Sequence, residues 1–314
     1  MSSDQLIAEI NRLRKEKNAV IMAHYYQVAE IQDIADFVGD SLELARKAKE
    51  TDADIIVLCG VHFMGETAKI ICPDKKVLIP DMNAGCSLAD SCDAEDLKQW
   101  KAEHPGYMVL SYVNTSAAVK ALTDIVVTSS NALKIVEQLP KEQKILFCPD
   151  RNLGNYINSV TGRNMALWDG CCHVHEKFSL QKLIALKKQY PEAKVLVHPE
   201  CKGPVVELAD VVGSTKYLLN YAIHSDDKVF LVATESGILH KMNEACKDKT
   251  FIPVPPEVTE GDKSCACNEC NFMRMNTLEK VYQCLRDESN EIEVDSEVAK
   301  KAIIPIEKMF AMSK

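Results

Sequence analysis

Three cysteines sit about 90 residues apart, each in a polar turn: Cys86 in DMNAGCSLADSC, Cys172 in WDGCCHVHE and Cys270 in CNECNFMRMN. Three thiolates can hold a tetrahedral zinc with one position open. They can equally hold three irons of a 4Fe–4S cube and leave the fourth iron open. Either centre would present a Lewis acid to a substrate oxygen. The run Cys265-x-Cys267-x-x-Cys270 has no second Cys-x-x-Cys to complete a zinc motif. It does not open a βαβ unit as a thioredoxin-like pair would. Cys59, Cys72, Cys148, Cys201, Cys246 and Cys284 lie in or beside apolar runs and read as small buried residues. Acid–base groups end other apolar runs: His24, Tyr26, Tyr112, Asn114, His175, His198 and Glu200. Ser41, Ser129, Ser214 and Thr215 stand where a strand gives way to a helix. There a hydroxyl and free N–H groups suit an anion, or the hydroxyl simply caps the helix.

The elements that must place these residues repeat. NAVIMAHYYQ (18–27), YMVLSYVNTS (107–116) and AKVLVHPEC (193–201) each run from aliphatic residues into a polar cluster, as a buried parallel strand feeding a loop does. His24, Asn114 and Glu200 fall at roughly matching places. A second set is DADIIVLCG (52–60), LTDIVVTSSN (122–131) and LADVVGST (208–215). A third is KKVLIPDMNAG (75–85), QKILFCPDRNLG (143–154) and KVFLVATESG (228–237). Helical patterns connect them, with a period of about 88 residues. The pattern predicts three small α/β units with parallel sheets, each cysteine following its unit's third strand. One large doubly wound sheet is the alternative. The expected divisions are 1–97, with helices from 273–314 packed on it, 98–181 and 182–272. Ligands bind off the carboxyl ends of such strands, so three facing units would share one central pocket.

Composition limits the rest. The chain has 314 residues, 46% apolar, and no run of about 18 apolar residues that would suit a membrane span. MSSDQLIAEINRLRKEKN is charged throughout and reads as an amphipathic helix, not a secretory signal. A cytoplasmic protein is expected, and a reducing compartment argues against structural disulfides. Net charge −9 and a pI near 5.5 argue against nucleic acid as a partner.

AHYYQVAEIQDIADFVGDSLELAR, GVHFMGETAKI, SYVNTSAAVKA, WDGCCHVHEKF, ADVVGSTKYL, ATESGILHKM and CNECNFMRMNTLEKV together resemble the quinolinate synthase family, from about residue 18 to 282. The resemblance implies three homologous three-layer αβα domains with parallel sheets in a pseudo-threefold triangle around a 4Fe–4S cluster. Its ligands would be Cys86, Cys172 rather than Cys171, and Cys270. It implies condensation of iminoaspartate with dihydroxyacetone phosphate to quinolinate, a precursor of NAD, with loss of phosphate and two waters. An aspartate oxidase or dehydrogenase would supply the imine. It assigns Glu200 as general base or acid, Tyr26 to ring closure, and Tyr112 and Asn114 to the substrate beside the open iron. His24 and His198 would hold carboxylates or move protons. His175, Ser41, Ser129, Ser214 and Thr215 would bind substrate. The family carries a Cys-x-x-Cys-x-x-Cys run in some members; Cys265-x-Cys267-x-x-Cys270 departs from it, which puts a redox pair of Cys267 and Cys270 in doubt. Burial of Glu200 is expected to raise its pKa. An aconitase-type hydro-lyase and a zinc-thiolate protein closed by His173 or His175 are the rival readings.

Overall fold

The structure is a computed structural model that describes residues 1–257 and 268–314, so Cys265 and Cys267 lie outside the described residues. Its described strands form three separate parallel sheets of four strands. The first contains β1 (Ala19–His24), β2 (Phe37–Gly39), β3 (Ile55–Cys59) and β4 (Lys76–Leu78). The second contains β5 (Met108–Tyr112), β6 (Ile125–Val127), β7 (Ile145–Cys148) and β8 (Ala166–Leu167). The third contains β9 (Lys194–Val197), β10 (Val211–Val212), β11 (Val229–Ala233) and β12 (Thr250–Pro253). The spatial orders are 2-1-3-4, 6-5-7-8 and 10-9-11-12. The α/β class with three helix-flanked parallel sheets agrees with the sequence; the strand count per unit does not. The sequence reading found three strands where there are four: it passed over β2 and β8, which are only three and two residues long, and β12, the edge strand of the third sheet. It paired β3 with β6 and β10, whereas the register pairs β2 with them.

An internal marker fixes that register. Asp36, Asp124 and Asp210 each turn a carboxylate oxygen back on the strand before them. Their Oδ2 atoms accept the N–H groups of Ile21, Val109 and Val195 at 2.8, 2.7 and 2.8 Å. Their own N–H groups donate to the carbonyls of the same three residues. Counting along each strand from this clamp aligns His24 with Tyr112 and His198, and Tyr26 with Asn114 and Glu200. The matching of His24, Asn114 and Glu200 from sequence therefore mixed two positions. Val109 is fully buried, so Asp124→Ala strands its N–H and is expected to cost about 1–3 kcal/mol, read from a urea midpoint at unchanged slope.

Every residue of β3 and β7 is buried, as in a parallel sheet covered on both faces. In each sheet the order reverses beside the first strand, which opens a crevice at the carboxyl ends. The helix Leu278–Asp287 lies on the helix Ser3–Glu16 and on β3. There Val281 and Leu285 join Ile10, Ile21 and Val57 in one apolar cluster. The helix Ser296–Met312 rests on β6 and the helix Ala117–Lys120 of the second unit, and on the helix His62–Ile71 of the first. His240 Nε2 stands 2.6 Å from Asp33 and ties the third unit to the first.

Candidate active site

The strand ends of all three sheets open on one cavity of about 740 Å³, its mouth included. Thirteen of the residues expected from sequence line it: the three cysteines, His24, Tyr26, Ser41, Tyr112, Asn114, Ser129, His175, His198, Glu200 and Thr215. Ser214 does not line it. Its hydroxyl caps the helix Thr215–His224 by accepting the Tyr217 N–H, and lies 2.8 Å from Ser130 Oγ.

Cys86, Cys172 and Cys270 each follow the fourth strand of their sheet, not the third, and each precedes a short helical turn. Burial pushes the Cys86 thiol up to about 12, Cys270 to about 11, and Cys172 well above the usual range. Backbone N–H groups oppose this at all three: those of Ala89 and Leu88 at Cys86, His175 at Cys172, and Met273 and Phe272 at Cys270. Three half-buried sulfurs lining one cavity, each facing amides that favour a thiolate, suit ligation better than three free thiols.

The loops bearing the cysteines are anchored by residues the sequence reading passed over. Asp150 Oδ2 accepts the Cys172 N–H at 3.1 Å, and Glu235 Oε1 accepts the Cys270 N–H at 3.1 Å. These two occupy one position of the repeat, held by Val61 in the first unit. There the His62 N–H instead donates to Ala84 O at 2.7 Å. Burial raises Glu235 to about 7. The signal was present in the Pro-Asp and Thr-Glu pairs that end two repeated strands. Lys120 was also missed inside SAAVKA. It is fully buried, and its ammonium donates to the carbonyls of Val113 and Thr115, on either side of Asn114.

Glu200 is the hub of the acid–base groups. Its Oε1 accepts from Tyr112 Oη at 2.5 Å, and its Oε2 lies 3.0 Å from His175 Nδ1. Burial pushes its pKa up, as expected from sequence. Hydrogen bonds from His175 and the Tyr112 hydroxyl outweigh that and hold it below the usual carboxylate range, so Glu200 is a carboxylate at neutral pH. Burial brings His24 and His198 down to about 3, so both are neutral. Their Nδ1 atoms accept the N–H groups of Tyr26 and Glu200 at 3.1 and 3.3 Å, which leaves Nε2 bearing the hydrogen. Among the described residues, no lysine or arginine lines the cavity.

Cys172, His175 and Glu200 place a sulfur, a nitrogen and an oxygen within 4.8 Å of one another, close enough to share a metal ion. The three sulfurs of Cys86, Cys172 and Cys270 are not such a set. Three sulfurs on one tetrahedral zinc would lie about 3.8 Å apart.

A cavity with three converging cysteines and a buried acid–base hub, at the carboxyl ends of parallel strands, defines an α/β enzyme site able to bind metal. The sequence profile of the quinolinate synthetase A protein family matches residues 8–311. The quinolinate synthase of Microcystis aeruginosa is 54% identical over 310 residues, covering 99% of this chain and 96% of that protein. That of a Synechococcus strain is 55% identical over 98% of this chain and 95% of its own, and that of Chloroherpeton thalassium 54% identical over 100% and 96%. The chain belongs to the quinolinate synthetase A family.

Proposed function

We propose that the protein is a quinolinate synthase of NAD biosynthesis. It would condense iminoaspartate with dihydroxyacetone phosphate to quinolinate, phosphate and two waters. These atoms balance without an oxidant, so the site needs acids, bases and a Lewis acid only. The observation that carries the reading is the meeting of Cys86, Cys172 and Cys270, one from each sheet, beside Glu200 in a single cavity. A 4Fe–4S cluster bound there by three thiolates supplies one iron with an open, Lewis-acidic position. The three sulfurs are not a set close enough to share one zinc ion. A zinc reading retains Cys172, His175 and Glu200 as its best group.

The remaining roles fall to side chains. Ser41 and Thr215 open ten-residue helices and Ser129 follows β6, so hydroxyls and helix amides receive the phosphate and carboxylates. Asn114, held between two clamped carbonyls, points a neutral amide at the substrate. His24 and His198 donate from Nε2 to carboxylate oxygens. Glu200 takes the carbon-bound proton in enolisation of the ketose and returns it to a departing hydroxyl, with Tyr112 steadying its charge. Tyr26 covers the ring-closing end, and His175 orients Glu200. The domain division 1–97 with 273–314, 98–181 and 182–272 belongs to this reading, each segment containing one sheet. So does a cytoplasmic setting beside an aspartate oxidase or dehydrogenase. Among the described residues no helix is long and apolar enough to cross a membrane.

Anaerobic purification followed by assay tests the whole. Brown protein containing iron and sulfide, which makes quinolinate from the two substrates, is the expected result. Colourless protein with zinc, or brown protein that only dehydrates a single hydroxy acid, would sink the reading.

A further inference from the structure

Tyr26 and Glu200 belong to different units and do not touch, yet one hydroxyl connects their surroundings. Thr234 Oγ1 lies 3.0 Å from Tyr26 Oη and 3.0 Å from His175 Nε2. His175 Nδ1 faces Glu200 Oε2 at 3.0 Å, and Tyr26 Oη lies 2.8 Å from Thr215 Oγ1. The sequence Thr215, Tyr26, Thr234, His175, Glu200, Tyr112 is an unbroken line of hydrogen bonds drawn from all three units. Thr234 is its middle member, 2% exposed and absent from the cavity wall.

The chemistry of the end groups orders the line. A carboxylate only accepts, so the hydrogen between Glu200 and His175 sits on Nδ1. With one ring hydrogen placed there, Nε2 must accept, and Thr234 is the donor available to it. The Thr234 oxygen then accepts from Tyr26, and Tyr26 from Thr215. Thr234 thereby fixes both the ring form of His175 and the direction of the Tyr26 hydroxyl. Its place in the repeat is taken by Gly60 in the first unit and Pro149 in the second, so the scaffold itself does not require a hydroxyl there.

Resting on the quinolinate synthase reading, we propose that Thr234 is a positioning residue that couples Tyr26 to the His175–Glu200 pair. It does so through its hydroxyl alone.

Thr234→Val keeps the shape and removes only that group. Expected in the iron-loaded enzyme is a kcat lower by about 10-fold or more, with KM for both substrates and the iron and sulfide content close to wild type. Thr234→Ser restores the hydroxyl and most of the rate. A Val variant as fast as wild type overturns the proposal. So does a Ser variant as slow as the Val one, since the methyl group and not the hydroxyl would then matter. Should the Val protein fail to fold, Thr234→Ala against Thr234→Ser makes the same comparison. Wild type is assayed in parallel: no quinolinate from it removes the reaction reading and this proposal together, whereas an active wild type with an equally active Val variant removes the proposal alone.

Discussion

Serine at Cys86, Cys172 or Cys270 is expected to leave anaerobically purified protein colourless and largely free of iron and sulfide. Serine at Cys148 or Cys171 should leave the brown colour in place. A serine oxygen is a harder and more basic ligand than a thiolate and is a poor substitute on a soft iron–sulfur centre. The three sulfurs follow strands of three separate sheets, so none of the three can take another's place. Cys148 is sealed in an apolar cluster with Cys92, away from the cavity wall. Cys171 adjoins Cys172 in sequence, but only Cys172 lines the cavity. A Cys172→Ser protein with its full complement of iron would remove that residue from the ligand set.

The second large effect is at Glu200. Glu200→Gln is isosteric and keeps a carbonyl oxygen for Tyr112 to donate to, but it cannot take up a proton. Turnover should fall by about 10²–10⁴-fold, the usual worth of a general base. Folding, colour and iron content should stay near wild type, because the hydrogen-bond partners of Glu200 are Tyr112 and His175 and the Cys172 sulfur is partnered by His175. The variant separates base from ligand. Loss of iron in parallel with loss of rate would mean that Glu200 holds the metal centre and does not carry the proton.

Sequence pattern located the strands that are long and buried, β1, β5, β9 and β11, and the cysteines that follow each unit. It passed over β2 and β8, where two or three residues carry no usable period, and β12, an edge strand with only one buried residue. The consequence was an error of register: Phe37–Gly39, lodged between two helical stretches, was absorbed into them, and Ile55–Cys59 was matched in its place. Two members of the carboxylate clamp of Asp36, Asp124 and Asp210 are visible as a residue type, since Asp124 and Asp210 stand just before the aliphatic residues of LTDIVVTSSN and LADVVGST. What it clamps depends on a contact 15 residues away. The site was legible where residue type alone suggests chemistry, at His24, Tyr112, His175 and Glu200. It was illegible at Asp150, Glu235, Lys120 and Thr234, whose importance lies in which backbone or side-chain atom they reach elsewhere in the fold. Glu200 shows the same limit: its burial was foreseeable, but the donors that reverse the effect of burial arrive from another sheet.

The packing of Leu278–Asp287 against Ser3–Glu16 and β3 bears on how the chain comes to be folded in the cell. Each sheet closes within a continuous stretch and can be assembled while the ribosome is still at work, amino-terminal portion first. The first of them is the exception in one respect. Ile21 and Val57 wait for Val281 and Leu285, made among the last tenth or so of the polypeptide, before that face is shielded from water. The nascent protein thus carries an unsheltered apolar surface through most of its synthesis. That surface is a natural point for chaperone attention and the place where a truncated product would first aggregate.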